Sequence, residues 1–176
     1  MSQNNLVITA LGSDRPGIVN DLSTLVASHR CNIQDSRMTV LGGEFAIIMM
    51  IAGSDEGIAE LEEKLASEAE ALNLTTIIKR TKGRETCNNT IAYVTEIIAI
   101  DNPGIVSDIT GFFSHRKINI DDLTTGTYAA PHTGTQMFNL TMRVNIPSEQ
   151  SLASLKDEFI QFCDDRNLDA IIEPLR

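Results

Sequence analysis

Leu6 to Leu11 is a short apolar run ended by Gly12, the pattern of a central strand buried on both faces. Beyond it the spacing changes. Ile18, Val19, Leu22, Leu25 and Val26 recur at i, i+1, i+4, i+7 and i+8, which places them on one face of a helix. Pro16 fits the first turn of that helix, where its missing N–H costs nothing. Asn32 to Leu41 is polar and mixed, with Asp35 and Arg37 inside it, as suits an edge strand. Gly42-Gly43 marks a hairpin. Glu44 to Ile51 then returns as a second strand, apolar from Phe45 onward, that belongs in mid-sheet. A second helix follows, with Ile58, Leu61, Leu65 and Leu72 inward and Glu60, Glu62, Glu63 and Glu68 outward; Leu74 to Arg80 closes the unit as a strand. The order is βαββαβ: an α+β, ferredoxin-like unit whose antiparallel sheet carries both helices on one face.

The pattern then repeats. Asp14-Arg15-Pro16-Gly17-Ile18-Val19-Asn20-Asp21 returns as Asp101-Asn102-Pro103-Gly104-Ile105-Val106-Ser107-Asp108, and Asn32-Ile33-Gln34-Asp35 returns in the same register as Asn119-Ile120-Asp121-Asp122. The helical stripe reappears as Ile105, Val106, Ile109, Phe112 and Phe113. Two motifs kept in register identify a tandem duplication. The expected organisation is a first domain over 1–80, a linker over 81–90 that lacks apolar periodicity, and a second domain over 91–176. The copies differ at the helix start, where Asn102 is a good N-cap residue and Arg15 is not, so some other group must satisfy the first amides of the first copy. They differ again in the hairpin, where Tyr128 to Thr135 replaces the two-residue turn and is the candidate for a copy-specific contact.

Bulk properties narrow the function. A formal net charge of −10 repels phosphate, which argues against direct nucleic-acid binding. Lys79, Arg80, Lys82 and Arg84 form a local basic cluster that reads as a solvated linker. Cys31, Cys87 and Cys163 contain no C-x-x-C pair and read as free thiols of a reducing cytoplasm. No signal peptide opens the chain and no apolar run is long enough to span a bilayer, so a cytoplasmic location is expected, with no membrane association. His29, His115 and His132 lack acidic partners at metal-ligand spacing, and His29 and His115 fall at polar helix ends and read as solvated. No nucleophile elbow, P-loop or dinucleotide fingerprint is present. The chain is expected to be no enzyme, with no catalytic or metal-binding residues and no cofactor.

The strand-to-helix turns carry the strongest chemistry. A helix N-terminus presents unpaired N–H groups and the positive end of the dipole, which attract carboxylate or phosphate. Gly17 and Gly104 let a ligand approach the backbone there. Asn32 and Asn119, each before the second strand of its copy, could instead be left-handed helix C-caps. In a βαβ crossover they also lie at the opposite end of the sheet from the helix start. A ligand touching both groups therefore needs two units packed together.

Asp14-Arg15-Pro16-Gly17-Ile18-Val19 followed by Cys31-Asn32-Ile33 resembles the signature of the ACT domain, a βαββαβ regulatory module that is often paired and often senses amino acids. The resemblance covers both halves of the chain. It implies ligand groups at Asp14, Arg15, Pro16, Gly17, Ile18 and Asn32, and in the second copy at Asp101, Asn102, Pro103, Gly104, Ile105 and Asn119. Leu6 to Gly12, Asp14 to Asn20, and Cys31 to Arg37 followed by Leu41 to Phe45 more narrowly resemble stand-alone bacterial ACT pairs that regulate transcription without a DNA-binding domain. That resemblance implies repression of glycine cleavage system expression by contact with a DNA-bound activator of the LysR type, with glycine as the signal. The alternative is a ligand-binding regulatory subunit of an enzyme of amino-acid metabolism. Sheet edges or helices offer surfaces for homo-oligomers.

Overall fold

The computed structural model describes residues 5–81 and 89–175. Contacts divide the chain into two units, residues 1–85 and 86–176. The first unit runs β1 (Asn5–Ser13), α1 (Ile18–Ser28), β2 (Asn32–Leu41), β3 (Glu44–Ala52), α2 (Asp55–Ala71) and β4 (Thr75–Thr81). The second runs β5 (Thr90–Ile100), α3 (Ile105–His115), β6 (Asn119–Ala129), β7 (Gln136–Pro147), α4 (Leu152–Asp164) and β8 (Asp169–Pro174). The sheets have the orders β2-β3-β1-β4 and β6-β7-β5-β8, with every pairing antiparallel. Each is the ferredoxin-like βαββαβ arrangement, with the polar strand at an edge and the apolar runs at the centre. Thr81 and Thr90, expected in the linker, belong to strands. Asn89 is a turn residue whose carbonyl accepts from Ser148 N–H, and the rest of that linker, residues 82–88 with Lys82, Arg84 and Cys87, lies outside the described residues.

Alternation places the core on one side of each sheet. Leu6, Ile8 and Ala10 of β1 and Phe45, Ile47, Met49 and Ile51 of β3 are buried together with Ile18, Leu22, Leu25 and Val26 of α1 and Ile58, Leu61, Leu65 and Ala69 of α2. The opposite face is open: Leu11, Ile48 and Ile77 are 50%, 47% and 70% exposed. This corrects the expectation that β1 is buried on both faces, because with both helices on one side only alternate residues are covered. Val19 and Val106 are exposed as well, since a single stripe of each helix meets its sheet. The second core is aromatic, with Phe112, Phe113, Phe159 and Phe162 packed edge-on or tilted at ring-centroid distances of 5.0 to 5.2 Å. Such pairs add about 0.5–1.5 kcal/mol each beyond their burial.

The repeated Asn-Ile-x-Asp motif encodes a β-bulge. The register of β2 on β3 shifts between Ile33 and Asp35, and that of β6 on β7 between Ile120 and Asp122. Gln34 and Asp121 are the extra residues, and each bends its edge strand just after its start. Asn32 and Asn119 are strand residues and not helix caps. The left-handed positions ending α1 and α3 belong to Arg30 and Lys117, both at φ 57°. There Cys31 N–H donates to Val26 O and Ile118 N–H to Phe113 O, the bonds that close a Schellman turn. In the second hairpin, Tyr128 and Ala129 continue β6, so its loop is residues 130–135.

Candidate functional site

The two strand-to-helix turns differ from the other helix starts. Ser54 caps α2 by accepting from Gly57 N–H at 3.1 Å, and Ser151 caps α4 by accepting from Ser154 N–H at 3.5 Å. The caps of α1 and α3 are Gly17 and Gly104, with no side-chain cap. Pro16 and Pro103 therefore precede their helices and do not occupy the first turn. Asn102 is no N-cap either: its Nδ2 donates to Ile100 O at 3.2 Å. Gly17 and Gly104 sit at φ 86° and 102°, where a side chain is strained, and a Cβ at either would meet nothing within 4 Å. Each turn thus offers open space above first-turn amides that no side chain satisfies, at the positive end of a helix.

Both turns are tied to the neighbouring hairpin, by Asp14 N–H to Gly43 O and by Asp101 N–H to Gln136 O, each at 3.0 Å. Asp14, Pro16, Asp101, Asn102 and Pro103 are exposed. Ile18 and Ile105 point into the cores, so they can offer a ligand only backbone.

The repeated first-turn aspartate is held differently in each unit. Arg15 Nη2 lies 2.8 Å from Asp21 Oδ2, whereas Asp108 Oδ2 is met by Arg166 Nε at 3.4 Å from the far end of α4. The strand ends differ too. Gly12 and Ala99 occupy the same row, opposite Phe45 and Phe138. A Cβ on Gly12 would come within 2.6 Å of Asn73 O, so only glycine lets that loop close on β1. Ala99 carries the methyl, and beside it a hollow of about 520 Å³ is lined by Ile100, Asn102, Pro103, Asp108, Arg166 and Asn167.

Within one unit the candidate residues are not brought together. Asn32 shares the row of Asn5 and Ala52, while Ser13 pairs with Glu44 at the other end of β1. Across the length of that strand this is about 26 Å. Asn119 stands likewise opposite Asn145, remote from Gly104.

His29 is a correction. It is buried at 6% exposure, with Nε2 3.0 Å from Glu68 Oε2 and Nδ1 3.8 Å from Glu60 Oε1, and so joins the end of α1 to α2. The i, i+4, i+8 spacing that lines up Glu60, Lys64 and Glu68 on one face of α2 was the available signal. Arg80 of the basic cluster is paired with Glu62 at 2.7 Å. Burial pushes the Cys31 thiol up and the Cys163 thiol up to about 12, so both are protonated, unreactive core residues. Among the described residues no cluster of His, Cys, Asp and Glu could hold a metal ion, and no helix is long and apolar enough to cross a membrane.

Comparison with known proteins gives these units a family. A model of the ACT domain matches residues 4–79. The glycine cleavage system transcriptional repressor of Escherichia coli K12 is 33% identical over 166 residues, covering 94% of this chain and 87% of that protein. A UPF0237 protein of Methanopyrus kandleri is 37% identical over 75 residues, covering 42% of this chain and 83% of its own length, about one unit. The crystal structure of a candidate glycine cleavage system transcriptional repressor superposes with a TM-score of 0.73 at 29% identity, covering 99% of this chain and 98% of that one. A protein of unknown function from Galdieria sulphuraria superposes with a TM-score of 0.84 at 25% identity, covering 99% of each chain. With two βαββαβ units, a Pro-Gly turn in each, and a relationship spanning nearly the whole chain, the protein belongs to the ACT-domain family, in the tandem form shared with the glycine cleavage system transcriptional repressor.

Proposed function

We propose that this protein is an amino-acid-responsive co-regulator that represses glycine cleavage system expression. It works by contacting a DNA-bound activator of the LysR type, and glycine is its signal. The observation that carries the reading is the 33% identity to the Escherichia coli repressor, because it extends through both repeats and across 94% of the chain. A net charge of −10 supports a protein partner over DNA, since phosphate contacts require clustered cations. The chemistry of the turns suits a sensor and no reaction: they offer amides and space but no nucleophile beside a base.

In this reading the glycine carboxylate lies on the first-turn amides behind Gly17, and its ammonium is held by oxygen atoms near Asn32 of an adjoining unit. Glycine has almost no apolar surface, so its binding rests on charge-assisted hydrogen bonds at both ends. Signalling needs only micromolar to millimolar affinity, about 4–8 kcal/mol. Co-purification from cells tests the partner. A LysR-type activator should accompany the protein, and the purified protein alone should shift no glycine cleavage promoter fragment in a gel. Recovery of a metabolic enzyme without any transcription factor, or a sequence-dependent DNA complex of the protein alone, contradicts the reading.

A further inference from the structure

The outer groove between α3 and α4 is framed by two ion pairs. At one end Arg166 meets Asp108, and at the other Arg116 Nη2 lies 2.8 Å from Glu158 Oε2. Each guanidinium, from just past its helix, also lies 3.8 Å from the ring centroid of the phenylalanine four residues before it, Arg116 over Phe112 and Arg166 over Phe162. Those two rings, 5.0 Å apart, form the floor of a hollow of about 870 Å³.

Gly111 also lines this groove, in the interior of α3. Its backbone does not require glycine, and a Cβ there would meet nothing within 4 Å. A glycine in a helix interior costs about 1 kcal/mol relative to alanine, and here neither packing nor geometry offsets it. The equivalent residue of the first repeat is Thr24. What the missing side chain does provide is room in the groove between the two arginine-capped rings, of which Phe112 is buried and Phe162 half-buried.

The rim favours a cation. Both arginines are engaged, whereas among the described residues no lysine or arginine pairs with Asp157 or Asp165. Asp164 and Asp165 stand at the negative end of the α4 dipole, with no basic residue in its last turn. Arg166 Nη1 donates to Phe162 O at 3.2 Å and Gln161 Nε2 to Asp165 Oδ1 at 2.8 Å, so this end is partly compensated, while Asp157 and Asp165 still leave the rim with an excess of negative charge. From Ser107 to Arg116 and from Asp157 to Arg166 each wall is about 13 Å long, two and a half helical turns.

We propose that this groove docks a basic amphipathic helix of a partner protein, with apolar side chains against Gly111 and the half-buried Phe162 and lysine or arginine on Asp157 and Asp165. The proposal rests on the reading that the chain acts through protein contact, and specifies the surface.

The test is a titration of the isotope-labelled full chain, followed by NMR. The probes are a helix-forming leucine–lysine peptide of about 15 residues and a leucine–glutamate counterpart. The lysine peptide should shift the Gly111, Phe112 and Phe162 amides saturably, and the glutamate peptide should not. Gly111→Leu should raise the thermal midpoint, because it removes a helix-interior glycine, and weaken the lysine peptide by about tenfold or more. Joint Asp157→Lys and Asp165→Lys substitution should abolish its binding. Lysine-peptide binding unchanged in Gly111→Leu, shifts spread over both units, equal binding of the glutamate peptide, or burial of these residues in a homodimer would each overturn the proposal. Glycine is placed at the Gly17 turn of the first unit and the groove lies in the second, so glycine titration of a Gly17 variant bears on the functional reading alone.

Discussion

Arg15 Nη2 stands 2.8 Å from Asp21 Oδ2, so the turn opening α1 carries a cation and an anion already in contact. Both side chains are more than a third exposed, and such a pair contributes within about 1 kcal/mol to stability. Its relevance is to the proposed ligand. A carboxylate at the first-turn amides is attracted by Arg15 and repelled by Asp21. Arg15→Ala should therefore weaken glycine binding, while Asp21→Asn, which frees Arg15 and removes the repulsion, should strengthen it. Calorimetry on the two variants checks the signs. Shifts in the same direction contradict a carboxylate at this turn.

Gly17→Ala and Gly104→Ala should each lower stability by about 1–2 kcal/mol, from the left-handed backbone alone, since an added Cβ has open space. Gly12→Ala should cost more than a steric-free change. Its Cβ would lie 2.6 Å from the backbone oxygen of Asn73, and overpacking of this kind costs about 1–3 kcal/mol. Urea midpoints of the three variants, compared with Ala99→Gly in the same row of the second unit, give the order.

Cys163, with its thiol pushed up to about 12 by burial, and Cys31, raised for the same reason, should resist iodoacetamide in the native protein at pH 8. Unfolding in urea should release both to ordinary reactivity; a Cys87→Ser background keeps the count to these two. The folded state holds the protonated thiols more tightly than the unfolded chain does. That contribution to stability is therefore complete below the ordinary thiol value of 9.0 and is lost as pH rises above it, for Cys163 toward about 12. Rapid native labelling of Cys163 at pH 8 would contradict this burial.

Most of the fold was legible because periodicity reports which side is covered. Phe45 to Ile51 reads as central strand, Gly42-Gly43 as a hairpin, and the Leu22-Leu25-Val26 stripe as a buried helix face, and each is found so. The failures came where tertiary context decides. Val19 and Val106 extend the apolar pattern but face solvent, because a helix on one sheet face buries a narrower stripe than the sequence offers. His29 looks like a solvated helix end until α2 brings Glu60 and Glu68 against it. The bulges at Gln34 and Asp121 were hidden because a bulge is a relation between two strands and has no periodicity of its own. Of the candidate site, the glycine turns were legible as local backbone chemistry. The exchange of Arg15 for Arg166 as partner of the first-turn aspartate was not, since Arg166 arrives from a distant element.

Calorimetric titration of the intact protein with glycine, alone and with the co-purified activator present, tests the central claim most directly. The expected result is saturable heat at micromolar to millimolar glycine, about 4–8 kcal/mol of binding free energy. That heat should be lost in Gly17→Val, where a branched side chain stands over the first-turn amides. No heat and no change in thermal midpoint at millimolar glycine, with or without the activator, would contradict amino-acid sensing and leave the two repeats as an interaction scaffold.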